Sequence, residues 1–104
     1  MHIQINIEIS ILRLQNLHMA HILARIIGIK FEDIEMVLLS DAVEHAERGM
    51  NLEHLWRNAD NTEEVLFLFS AEDLDKARSY INEMHAQALA AFPDFPKPEM
   101  TFLV

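Results

Sequence analysis

The chain has 104 residues, 51% of them hydrophobic and 24% charged, a composition that fits one globular domain with a modest core and makes disorder a poor description. It has no cysteine, which excludes a disulfide framework, a thiolate metal centre and a cysteine nucleophile. A formal charge of −9 opposes phosphate backbones, and no apolar run reaches the about 18 residues of a membrane span, so neither nucleic acid nor membrane is an expected partner and a cytoplasmic location is expected.

Residues 1–18 open with a strict alternation: Ile3, Ile5, Ile7, Ile9 and Ile11 on one side, Gln4, Asn6, Glu8 and Ser10 on the other. Period 2 with one apolar face predicts a strand, and so long an apolar edge must be covered. The stretch 1–18 is therefore expected to be an N-terminal arm that adds an extra strand to a sheet edge. The domain proper is expected over 19–104.

His21–Lys30 is rich in β-branched residues and apolar on both faces, which predicts a strand covered on both sides. The period then changes. Ile34, Val37, Leu38 and Ala42 recur at helical spacing, extended by His45 and Ala46, with Glu32, Asp33 and Glu35 in the first turn where the helix dipole favours acids. Gly49 marks the left-handed stop of a helix over Glu32–Arg48. Leu52–Asn58 reads as a strand, Asp60-Asn61-Thr62 as a polar turn, and Val65–Phe69 as a buried strand. Ser70 with Asp73 three residues on resembles a capping box opening a helix to about Ala91, with Leu74, Ala77, Ile81, Met84 and Ala88 as its inner stripe. Pro93, Pro96 and Pro98 make a rigid connection to a last strand, Met100–Val104.

From Met19 the order is β-α-β-β-α-β, the split βαβ or ferredoxin-like arrangement of the α+β class. Two helices cover one face of its sheet. Since the strands are apolar on both faces, a second copy of the sheet is the economical cover, which predicts a homodimer.

Three stretches carry a family resemblance: Arg57-Asn58-x-Asp60-Asn61-x-x-Glu64-Val65, Asp73-Leu74-Asp75-Lys76-Ala77-Arg78, and the closing Pro98-Glu99-Met100-Thr101-Phe102-Leu103. Over about 19–104 the chain resembles the dimeric α+β-barrel proteins of ferredoxin-like fold, the superfamily of antibiotic-biosynthesis monooxygenases, stress-responsive A/B-barrel proteins and polyketide cyclases, in a branch of short bacterial proteins. The resemblance implies a dimer, and a cofactor-independent enzyme or binding protein for an aromatic or polyketide-like compound. It also implies a histidine in the middle of the first helix. This chain carries Asp41 there, with His45 one turn later.

Candidate chemistry falls on a few side chains. His21 and Arg25 lie four apart on one strand and share its face, a polar patch suited to an acid or carbonyl of the substrate; the plainer reading pairs them with an acid or places them at an edge. His54 and Trp56 share a face of the next strand with Leu52 and Asn58, where an imidazole beside an indole would orient a flat substrate, or where both simply pack. The expected site is therefore His54 and His21 as catalytic residues with Arg25 and Trp56 binding substrate, in a pocket between sheet and helices. Asp41 and His45, at i and i+4, would suit two ligands of a metal, but no third ligand follows at helical spacing, and a solvated helix face is the simpler reading. His85 has no sequence partner and reads as boundary packing. Two glycines in the whole chain cannot build a phosphate cradle, so neither cofactor nor metal is expected. The rival function is a non-catalytic assembly protein that spends its apolar strands on self-association.

Overall fold

The structure is a computed structural model and describes residues 19–104; the arm expected over 1–18 lies outside the described residues. Four strands and three helices follow in the order β1 (Ala20–Ile27), α1 (Phe31–Ser40), α2 (Ala42–Glu47), β2 (Met50–Arg57), β3 (Glu64–Ala71), α3 (Leu74–Ala91) and β4 (Glu99–Leu103). The sheet is antiparallel throughout, with spatial order β2-β3-β1-β4. This is an α+β fold consistent with the ferredoxin-like class.

Alternation along the strands decides what each face holds. Ile22, Ala24 and Ile26 of β1 sit opposite Phe69, Phe67 and Val65 of β3, and all six are buried under the helices. Ile34 and Leu38 of α1, Ala77, Tyr80 and Ile81 of α3, and Met50 of β2 close that core. The other face carries Leu23, Leu66 and Leu68, half-buried, with Trp56 and Leu103 more open, at 45% and 42% exposure. One layer of helices thus leaves an apolar sheet face without a helical cover among the described residues.

Three local details differ from the sequence reading. The first helix is two helices that meet at Asp41 (φ −94°, ψ 2°), although backbone bonds run on through the joint, from Asp41 N–H to Val37 O at 3.0 Å and from His45 N–H to Asp41 O at 2.9 Å. Aspartate is a weak helix former because its short carboxylate competes for local backbone groups. Ser70 belongs to β3 and is buried; the cap of α3 is Asp73 alone, whose Oδ1 accepts from the Lys76 N–H at 3.1 Å. Finally, β2 is bulged between Leu52 and His54, where the register slips by one. Leu52 stands opposite the helix-facing Phe69, whereas His54 and Trp56 stand opposite Leu68 and Leu66, on the open face. Leu52 and His54 therefore do not share a face, because the inserted Glu53 inverts the alternation.

Candidate functional site

A cavity of about 390 Å³ lies between the helix-side face of the sheet and the layer formed by α1, α2 and α3. Its floor is Phe67, Phe69, Met50 and Met100, and its walls include Leu38, Ile81, Met84, Ala88 and Phe95. The volume falls in the range of small-molecule sites, which combine an apolar lining with a few placed polar groups. Here those polar groups are Asp41, Glu44, His45, His85 and Lys97. Tyr80 adds a phenol to the same wall.

His45 comes from α2, and the turn at Asp41 brings its ring over the sheet. It meets Phe69 edge-on, centroids 5.2 Å apart, and Tyr80 at 6.1 Å, also nearly perpendicular. Half-burial disfavours the imidazolium and lowers the pKa of His45 below its ordinary value; the charges of Asp41 and Glu44 oppose that shift without reversing it. Burial first, then the charges of Glu44 and Asp41, raise Tyr80 above the ordinary phenol value. Near neutral pH the wall therefore presents an unprotonated imidazole beside an intact phenol O–H. The imidazole can accept a proton, which is the part of a general base. The guanidinium of Arg48 sits 5.1 Å from the Tyr80 ring centroid and steadies that ring from α2's end.

His85 lies five residues after Tyr80 on α3 and is also lowered, by burial and then by the charge of Lys97. Lys97 belongs to the proline-rich connection before β4. Both residues, with Pro98 and Met100, line a second, shallower hollow that also touches Asn82, Glu99 and Phe102, so they form the sill between the cavity and that outer recess.

The four residues expected at a site share the other face of the sheet. His21, Arg25, His54 and Trp56 all lie on the open face of the sheet, and within one chain none of them lines the cavity. His21 Nε2 is 3.2 Å from Glu53 Oε1. Arg25 reaches Glu64 (Nε to Oε1, 3.0 Å) and Glu99 (Nη1 to Oε2, 3.0 Å), and the two carboxylates raise its already high pKa. Both residues thus have acid partners within their own chain. His54 and Trp56 stack with centroids 4.8 Å apart and planes 13° from parallel, an aromatic plate at the end of β2. Within one chain, the cavity between sheet and helices and these four residues lie on opposite faces of the sheet.

Among the described residues no group of three His, Cys, Asp or Glu side chains is placed to hold a metal, so Asp41 and His45 stand without a third ligand. No helix among the described residues is long and apolar enough to cross a membrane. Tyr80 and Lys97 were not picked out from the sequence. For Tyr80 the signal was present, since Ala77, Tyr80, Ile81 and Met84 follow the i, i+3, i+4, i+7 pattern of one helix face. For Lys97, a single cation between two prolines, there was none.

No family model matches the chain, and no curated protein matches it. Among solved structures it is similar to a conserved protein from Methanosarcina mazei Go1, with a TM-score of 0.51 at 16% sequence identity, covering 86% of this chain and 95% of that one. At that identity the likeness speaks to the fold alone.

Proposed function

We propose that this chain is a homodimeric small-molecule protein of the dimeric α+β-barrel kind, whose helix-side cavity takes a flat, largely apolar compound, aromatic or polyketide-like, with His45 as the proton acceptor. The carrying observation is the cavity itself: about 390 Å³, walled by aliphatic and aromatic side chains, with a half-buried imidazole facing a phenol inside it. An imidazole held below its ordinary pKa at a cavity wall is unprotonated at neutral pH and so suited to accept a proton there. Cyclisation, isomerisation and cofactor-independent oxygenation each begin with removal of an acidic proton, which this arrangement supports.

The test is a plug. Ala88 lines the cavity from an exposed position on α3, so Ala88→Trp fills the space with little effect on folding. Wild type should bind a neutral flat probe such as 2-naphthol saturably, followed by its fluorescence, and Ala88→Trp should abolish that binding. His45→Ala should keep it, while losing any turnover of a substrate found by screening. Equal binding by wild type and Ala88→Trp defeats the proposal.

The rival reading, a non-catalytic assembly protein, is favoured by a different observation. The open sheet face carries Leu23, Leu66, Leu68, Trp56 and Leu103 beside the His21–Glu53 contact and the Arg25 ion pairs. In a dimer joined through that face, His21, Arg25, His54 and Trp56 lie between the two sheets, and a site drawn from them would belong to the assembly rather than to one chain.

A further inference from the structure

We propose that the cavity's ligand carries a carboxylate, held at the sill by Lys97 and His85, with its apolar body extending inward toward His45; this rests on the cavity being the ligand site.

The polar groups of the cavity are divided by sign. Asp41 and Glu44 come from the turn between α1 and α2 and from α2 itself, beside His45 and Tyr80. The basic pair, His85 and Lys97, comes from the later half of α3 and the connection to β4. Along α3, Tyr80 and His85 are five residues apart, about 7 Å at the helical rise. Between the two groups the lining is Phe67, Met84 and Met100, without a charge. An apolar body thus has an anion-repelling end beside α2 and an anion-attracting end at the sill, so a monoanionic ligand enters in one orientation only.

Lys97 is free for that work. The ion pairs among the described residues use His21, Arg25 and Arg57, and Lys97 is in none of them. Glu99, two residues on, bonds Arg25 at 3.0 Å through Oε2 and so engages a different cation. In a chain of net charge −9, an unpaired ammonium at the mouth of an apolar cavity is the group an acid would meet. His85 supplies a ring N–H donor beside it, and both residues border the outer hollow through which a carboxylate keeps contact with water. A phosphate monoester is a poorer fit, since its dianion would face Glu99 in the same recess with one full positive charge to offset it.

The experiment compares isosteres: 2-naphthoate and the neutral 2-naphthamide, titrated calorimetrically at low ionic strength against wild type, Lys97→Met, Lys97→Arg and Ala88→Trp. A charge-assisted contact at a half-open site predicts that wild type prefers the carboxylate by about tenfold. Lys97→Met should erase the preference by weakening the carboxylate more than the amide, and Lys97→Arg should retain it. His85→Phe should likewise weaken the carboxylate more than the amide. If both ligands bind equally to wild type while Ala88→Trp blocks both, the cavity reading stands and the carboxylate assignment falls. If neither binds, or Ala88→Trp blocks neither, both fall together.

Discussion

His45 meets Phe69 edge-to-face at 5.2 Å, with ring planes 85° apart, a contact that packs the short helix α2 against strand β3. Phe69 in turn stands opposite Ile22 on β1 and Leu52 on β2. The imidazole is therefore both a wall of the cavity and part of the packing, which makes its protonation state matter to folding as well as to chemistry.

A first prediction follows from the sign of that coupling. His45 and His85 both have folded-state pKa values below the ordinary 6.5, so the folded chain resists protons that the unfolded chain accepts. Their contribution is fully present above about pH 6.5 and is lost as pH falls through the window down to their folded values. Melting temperature from pH 7.5 to 5.5 should fall more steeply for wild type than for the double variant His45→Gln/His85→Gln. Parallel curves would mean that neither imidazole is held neutral by the fold.

A second prediction separates the two residues that resemble a cap in the sequence. Asp73 caps α3, so Asp73→Ala should cost about 1 kcal/mol, a drop of about 4–8 °C in melting temperature for a domain of this size. Ser70 is buried in β3 and makes no capping bond, so Ser70→Ala should change melting by less than half as much. The reverse order would move the start of α3.

The comparison of Ser70 with Asp73 also indicates what was legible in the chain. Periodicity carried the order of strands and helices and, in Ala77 and Ile81, the centre of the buried stripe of α3, because burial of one face imposes period 2 or 3.6 directly on the residues. The lining of the candidate site was not legible in the same way. Glu53 is one inserted residue in a strand, and it inverts the face on which Leu52 and His54 fall without leaving any compositional trace. His45, Tyr80, His85 and Lys97 come from three separate segments, and only the packing of α2 and α3 over one sheet brings them to one cavity. Local pattern constrains local structure; convergence of distant segments is a tertiary property.

A third prediction concerns Gly49, which ends α2 with φ +73° and donates its N–H to Ala46 O at 3.0 Å while its carbonyl accepts from Glu72 N–H at 3.0 Å. The left-handed region is costly for a residue with a Cβ, and an added Cβ here would sit 3.4 Å from Glu72 Oε2. Gly49→Ala should destabilise by about 1 kcal/mol and Gly49→Asn by less, since asparagine tolerates this backbone conformation. Chemical denaturation of the two variants measures the difference directly, and equal losses would assign the cost to Glu72 rather than to the backbone.

The last prediction concerns the open face of the sheet. Leu68 stands opposite Leu23 on one side and His54 on the other, at the middle of an apolar patch that also includes Leu66, Trp56 and Leu103. Leaving such a patch in water forfeits about 25 cal/mol for each Å² that could be covered, and a second copy of the same face covers it with matching chemistry. The polar fringe of His21–Glu53 and Arg25–Glu64 is already partnered within the chain, so pairing two faces does not strand the Arg25 charge. Wild type should therefore sediment as a dimer at micromolar concentration. Leu68→Glu places a carboxylate in the centre of each face, opposite its own copy, and should shift the protein to monomer while the circular dichroism of the α+β fold persists. A wild-type monomer at that concentration would refute the dimer, and a Leu68→Glu dimer would move the interface to another surface of the molecule.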